Sequence, residues 1–280
     1  MKLAHLILAH NHPAQLERLV KRISHSNADV YIHLDLKTDA AAYEKIKRLP
    51  NTFFINQRIN VAWCEYSTIT ATLVAMEQIL ATGTSYSHIN LISGNDYPLQ
   101  SNDHIQQFFF SHSDKTFMWY DRIFHDWVHG QVRVNTYHLG DYGFPGRYHI
   151  APLVNRILPT RKIPGNLIPY GRSQWLTITP ECAAYVIRYI KDNPALARFF
   201  RQTWAVDEIF FQTILCNSPL KDKLVNNNLR YIVLQPDFRP GIFTIKDAGQ
   251  LEASGGFYAR KFDMDKDVAI LDHLDQLVLV

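Results

Sequence analysis

At 280 residues, with 47% hydrophobic and 20% charged side chains, the sequence supports a sizeable core and is neither disordered nor fibrous. Its 29 basic and 26 acidic residues leave a formal charge of +3, far from the clustered excess of a nucleic-acid binder, so no nucleic-acid partner is expected. The three cysteines, Cys64, Cys182 and Cys216, are odd in number and form no C-x-x-C pair, which argues against a disulfide framework or zinc ribbon and fits a reducing compartment.

In chain order, residues 3–9 are a short apolar run that reads as a buried first strand. Its interruptions and the lack of a small-residue cleavage pattern set it apart from a signal peptide. Pro13 opens a segment with Leu16, Leu19, Val20 and Ile23 at helical spacing. Residues 30–35 alternate as a second strand, followed by a polar turn over 36–39 and a short helix over 41–49. A third strand is expected over 52–56. Ile69, Leu73, Met76, Ile79 and Leu80 share one face of a helix over 66–81, which Thr82-Gly83-Thr84 should end. A strand over 88–93 closes in the turn Gly94-Asn95-Asp96-Tyr97-Pro98, and a helix over 103–110 leads to a strand over 116–120.

Residues 121–171 are irregular, rich in aromatics and prolines, with basic residues at Arg147, Arg156, Arg161 and Lys162; inserts of this length are usually functional or mobile. Beyond them come a strand over 174–177, a helix with Thr179 as cap and Pro180 first, helices over 194–201 and 206–216, a strand over 229–234 and a helix over 268–278. Strands alternating with helices predict an α/β fold with a mainly parallel, Rossmann-like central sheet flanked by helices. No repeat or linker marks a second domain, so a single domain over 1–280 is expected. No segment approaches the roughly 18 to 20 apolar residues that span a bilayer, which leaves at most peripheral membrane contact.

Ligands of parallel sheets bind beyond the carboxyl ends of strands, which singles out Asp35, Asp96 and the segment after Ala9. The first turn, His10-Asn11-His12-Pro13, lacks the glycines that a dinucleotide pyrophosphate needs, so a nicotinamide enzyme is disfavoured. Asp35 reads equally as a turn residue or helix cap, and Asp96 as part of a plain turn. Asp207 and Glu208 stand where acids stabilise a helix start, and as neighbours they point in different directions, so one can cap while the other faces a cleft. Arg260 and Lys261 lie between aromatic residues in Phe257-Tyr258-Ala259-Arg260-Lys261-Phe262-Asp263, an arrangement suited to phosphate oxygens. Asp263-Met264-Asp265 matches a bare metal-binding carboxylate pair but reads better as a solvated turn. Most of the histidines, His5, His10, His12, His25 and His33 among them, show no metal-ligand spacing and read as structural.

Taken in order, five segments resemble the core-2/I-branching β-1,6-N-acetylglucosaminyltransferase family, glycosyltransferase family 14, which also contains the peptide O-xylosyltransferases. They are Ala9-His10, His33-Leu34-Asp35-Leu36-Lys37, Ser93-Gly94-Asn95-Asp96-Tyr97-Pro98, Ser173-Gln174-Trp175 with Asp207-Glu208, and Phe257 to Asp263. The resemblance covers nearly the whole chain. It implies a GT-A type fold, a nucleotide-sugar-binding half over 1–120 and an acceptor-binding and catalytic half over 121–280.

By the same resemblance the chain is an inverting glycosyltransferase that uses a UDP-sugar, of the N-acetylglucosamine or xylose type, with no cofactor and no metal. Its acceptor would be a hydroxyl of a glycan or lipid-linked glycan. Glu208 would be the catalytic base; Ala9 and Asp35 would border the nucleotide, with Asp35 on the uracil; Asp96 would contact the donor sugar and Trp175 wall its pocket. Arg260 and Lys261 would hold the diphosphate, joined by Arg239 or Lys246. The lack of the animal members' stem, membrane anchor and many cysteines implies a bacterial-type protein, cytoplasmic or peripheral at the inner face of the plasma membrane. Two other readings stay open: an inactive sugar- or nucleotide-binding protein on the same fold, and a metal-dependent transferase using Asp263 and Asp265.

Overall fold

The computed structural model describes residues 1–236 and 239–277, the side chain of Tyr148 excepted. The chain runs β1 (Lys2–Ala9), α1 (Pro13–Ile23), β2 (Ala28–Leu34), β3 (Thr52–Phe54), α2 (Tyr66–Ala81), β4 (Tyr86–Ser93), β5 (Asp96–Pro98), α3 (Asn102–Ser111) and β6 (Thr116–Arg122). It continues through α4 (Gln131–Asn135), α5 (Arg147–Ile157), β7 (Tyr170–Ile178), α6 (Pro180–Asp192), α7 (Pro194–Arg201), α8 (Phe210–Cys216), β8 (Leu224–Asn226), β9 (Arg230–Ile232), α9 (Ala248–Ala253), β10 (Tyr258–Arg260) and α10 (Ala269–Leu277). The architecture is α/β with mainly parallel pairing and flanking helices, as the strand–helix alternation predicts. Two compact units divide the chain: Met1–Asn56 with Gly83–Asp114 and Leu229–Val280, and Gln57–Thr82 with Lys115–Asn228.

In the first unit β3, β2, β1 and β4 lie side by side, all parallel, with Ala9 of β1 opposite Leu34 of β2 and Leu8 opposite Ser93 of β4. Every residue of β2 and β4 is buried, so the alternation of Val30, Ile32 and Leu34 with Tyr31 and His33 separates two covered faces rather than core from water. Polar side chains inside are paired accordingly. Asp29 takes bonds from Lys2 Nζ at 2.8 Å and Tyr86 Oη at 2.7 Å, and the His5 ring bonds Asn90 at 3.0 Å. Burial, then the charges of Arg230 and His25, lowers the His5 pKa to about 3, so this ring is neutral and structural, as expected for it. A separate three-stranded sheet, β5-β10-β9, runs antiparallel between β5 and β10 and parallel between β10 and β9.

In the second unit β6 lies between β7, antiparallel, and β8, parallel. α6 buries Cys182, Ala183, Val186, Ile187 and Ile190 along one stripe, and α8 buries Phe210 through Leu215 without a polar face. Phe210 meets Phe200 at 5.0 Å and Tyr66 at 6.2 Å between ring centroids, so three helices share one aromatic core. Each such ring contributes about 1.5–3 kcal/mol on burial.

Several expectations change. The helix over 41–49 is two 3-10 turns, Ala40–Tyr43 and Ile46–Arg48, and Asp39 rather than Asp35 caps the first by accepting from the Ala41 amide at 3.0 Å. The helix over 206–216 opens as a 3-10 turn, Val206–Glu208, before α8 begins at Phe210. The irregular stretch over 121–171 contains α4 and α5, and the strand over 229–234 shortens to β9, with Leu229 at a left-handed φ of 60° before it and Leu234 after it in a β-bridge with Pro240. Of the helix over 268–278, Val278 lies outside the described residues.

Candidate functional site

In the first unit the ends of β1 and β2 are tied together. The Asp35 amide donates to the Ala9 carbonyl at 2.9 Å, and Thr38 Oγ1 donates to the His10 carbonyl at 2.9 Å. Asp35 is buried and folds its Oδ1 back onto the Lys37 amide at 2.9 Å, with Lys37 Nζ 3.7 Å from Oδ2. This is an Asx turn, which fixes the carboxylate at the strand end. His10 is within electrostatic reach of both Asp35 and Lys261, which act on it in opposite directions.

The turn after β4 and the segment after β10 form one braced structure. β5 pairs with β10 so that Arg260 stands opposite Asp96, and Arg260 Nε lies 3.6 Å from Asp96 Oδ1. Asp96 is fully buried and also accepts from the Ser93 amide at 3.0 Å and Ser93 Oγ at 2.7 Å. A buried carboxylate with these partners holds the guanidinium in place, while Lys261 follows directly. Gln15 of α1 locks the arrangement: its Nε2 donates to the carbonyls of Gly94 and Phe262, both at 3.1 Å, and its Oε1 accepts from the Met264 amide at 2.7 Å. Gln15 is absent from the sequence expectations. Its only signal there is a polar residue on the apolar face of an amphipathic helix.

Of the two further basic candidates, Arg239 is exposed beside a β-bridge of Leu234 with Pro240, and Lys246 sits in the 3-10 turn Ile245–Asp247. The intervening backbone touches Lys261 on both sides: the Lys261 amide donates to Gly241 at 3.3 Å, and the Phe243 amide donates to Lys261 at 2.9 Å. Among the described residues one group of three metal-ligand types gathers, His12, Asp263 and Asp265, with ligand atoms within 4.8 Å of one another. Asp263-Met264-Asp265 therefore has a histidine partner that sequence spacing does not reveal.

In the second unit Glu208 ends a 3-10 turn, and its Oε2 takes a 2.5 Å bond from Arg133 of α4. The Arg133 guanidinium lies over Trp127 at 4.7 Å and Trp204 at 5.0 Å from the ring centroids. Arg172 of β7 stacks on Trp119 at 4.7 Å and pairs with Asp121 at 3.3 Å. A Cβ at Gly171 would fall 2.7 Å from the Glu208 carbonyl oxygen and 2.8 Å from the Trp127 ring, so only glycine fits beneath the acid. Burial raises the Glu208 pKa, while Arg133 and Arg172 pull it down. The result is a partly buried carboxylate harder to ionise than usual but held in line by a fixed cation, which suits proton acceptance. Trp175 is buried in β7, with its amide donating to Ser173 Oγ at 3.3 Å. Arg133 lies in the stretch whose sequence shows no periodicity, and nothing in that stretch marks it out.

Asp207 takes bonds from the backbone amides of 207 and 208 and feels the charge of its neighbour Glu208. Burial, then the charge of Glu208, pushes its pKa from 3.8 up to about 7. Its proton is held more tightly in the folded chain than in the unfolded one, so the stability present at acid pH is lost as pH rises from about 4 to about 7. Asp207→Asn should therefore stabilise the protein at pH ~8, by at most about 4 kcal/mol, and hardly at pH ~4. Melting curves of both proteins across this range check it, and an equal difference at all pH values would be inconsistent with the titration.

A family model described as Core-2/I-Branching enzyme matches residues 3–250. Xylosyltransferase 2 of Rattus norvegicus is 27% identical over 299 residues, covering 98% of this chain and 33% of that protein. Xylosyltransferase oxt of Drosophila melanogaster is 24% identical over 287 residues, covering 94% and 32%. The chain thus spans about a third of the length of the curated relatives it matches. Among solved structures, the apo crystal structure of mouse Xyloside xylosyltransferase 1 aligns at a TM-score of 0.35 and 10% identity, over 80% of this chain and 84% of that one.

Proposed function

The chain belongs to the Core-2/I-Branching enzyme family, a family of glycosyltransferases, and on that premise we propose that it is an inverting, metal-independent transferase of GT-A type. It moves a sugar of the N-acetylglucosamine or xylose type from a UDP-sugar to a hydroxyl of a glycan or lipid-linked glycan. The observation that carries this reading is the pairing of β10 with β5, which fixes Arg260 on buried Asp96 with Lys261 next in the chain. Departing UDP gains negative charge on its β-phosphate, and preorganised cations stabilise that charge without needing to reorganise. Asp35, locked to the β1 end, serves the uracil, and Asp96 serves the donor through the cation it holds. Arg239 or Lys246 adds a further cation to the diphosphate.

Glu208 accepts the proton of the attacking hydroxyl. Its upward-shifted pKa means that the rate should rise with pH until the carboxylate is ionised. Arg133→Met removes the cation that pulls this pKa down, so the acid limb of the pH–rate profile should move to higher pH, with Arg133→Lys intermediate. An unmoved limb with a uniformly lower rate would make Arg133 merely structural.

The gathering of His12, Asp263 and Asp265 favours a second reading, in which a divalent cation assists the diphosphate. Chelation separates the two. Transfer measured with a panel of UDP-sugars should persist in excess EDTA, and the preferred donor should raise the melting temperature equally with and without chelator. Activity lost to EDTA and restored by magnesium or manganese would replace the metal-independent reading with the metal-dependent one.

A further inference from the structure

α5 has the wrong side outward. None of its described side chains is buried, and Ile150, Leu153 and Ile157 are 43%, 56% and 70% exposed, with Leu158 just beyond at 45%. Their spacing of three, four and seven residues sets the three on one helical face. Asn155 projects from the opposite side. Its Oδ1 takes the Tyr137 amide at 2.6 Å and its Nδ2 returns a bond to the Tyr137 carbonyl at 2.8 Å, so a polar residue fastens the helix to the protein while the apolar stripe faces solvent. A surface helix of a globular protein is normally arranged the other way round. Pro152 inside α5 also removes one rung of its hydrogen-bond ladder, so neither packing nor backbone regularity accounts for the segment.

The charge along the sequence through α5 is equally one-sided. From Tyr142 to Pro180 the chain holds five basic residues and no aspartate or glutamate. Two of them are engaged elsewhere: Arg161 is buried and bonds the carbonyls of Thr136, Gln202 and Phe199, and Arg172 pairs with Asp121. Arg147 and Arg156 are within α5, and Lys162 lies a few residues on; Arg156 and Lys162 are exposed. An apolar stripe flanked by cations, on a helix too short to cross a bilayer, is the arrangement of an element that lies in the headgroup region. Among the described residues no helix is long and apolar enough to span a membrane.

We propose that α5 seats this protein on the surface of a bilayer containing anionic lipid, with Ile150, Leu153 and Ile157 in the acyl boundary and Arg156 and Lys162 against the headgroups. The inference is independent of the donor and base assignments. In flotation assays the full chain should bind phosphatidylcholine vesicles that contain phosphatidylglycerol, bind pure phosphatidylcholine much less, and release as salt rises. The double variant Leu153→Asp with Ile157→Asp should lose about tenfold or more in vesicle affinity, as should Arg156→Glu with Lys162→Glu, both with unchanged melting temperature and unchanged stabilisation by UDP. Should one pair unfold the protein, the other carries the test. Parental protein that ignores vesicles, or variants that bind as well as the parent, would overturn the proposal. So would a parental dimer on gel filtration that Leu153→Asp with Ile157→Asp converts to monomer, because the stripe would then belong to a second copy.

Discussion

Glu208→Gln is expected to lower the transfer rate by about 10²- to 10⁴-fold while leaving UDP affinity unchanged. The substitution keeps the shape of the side chain and an oxygen that Arg133 can still bond, so the 2.5 Å contact and its aromatic surroundings need not rearrange. What it removes is the ability to take a proton. The same change withdraws the charge that helps push up the Asp207 pKa, so Asp207 should titrate lower in the variant. Product chromatography under donor saturation and calorimetric titration with UDP together check the prediction. Transfer at the parental rate would dismiss Glu208 as the base, and loss of UDP binding along with activity would point to a wider disturbance.

The second large effect concerns the two adjacent cations at the end of β10. Lys261→Ala should cost about 10²- to 10³-fold in rate and weaken UDP binding, because in the proposed mechanism it removes a positive group that meets charge developing only as the bond to UDP breaks. Arg260→Ala should do the same and also destabilise the fold, by about 3–5 kcal/mol, since it removes the guanidinium paired with the buried Asp96 carboxylate. The contrast is itself diagnostic: the lysine variant should lose substrate effects alone, the arginine variant both substrate effects and fold stability. Rates, UDP titrations and melting curves on the two variants resolve it. A Lys261→Ala protein with full activity would remove the electrostatic basis of the proposed mechanism.

Long periodic elements were legible and short mutually dependent ones were not. α2 runs from Tyr66 to Ala81 as its spacing requires, and it stops where Gly83 takes a φ of 69°. β5 and β10 have three residues each, too few for an alternating pattern, and exist because they pair with one another. The sequence shows Asp96 within a turn and Arg260 within a basic pair; it does not show that they are partners. α5 escapes notice for the opposite reason, since an internal proline and an outward apolar stripe contradict the rules by which helices of soluble domains are read. Part of the environment of Glu208 is hidden for the same reason, because Trp127 and Arg133 come from that irregular stretch.

By itself the sequence determined the fold class, the family and the chemical inventory: which carboxylates stand at strand and helix ends, and which adjacent cations lie between aromatic residues near its end. Tertiary structure alone decided how those charges are spent. Arg133 goes to Glu208, Asp96 to Arg260, Gln15 to the backbone of two distant loops, and His12 to Asp265. The reason is physical. Local spacing governs backbone conformation through forces acting over a few residues, whereas the partner and ionisation of a charged group depend on what desolvates and faces it, and those neighbours arrive from segments tens to hundreds of residues away.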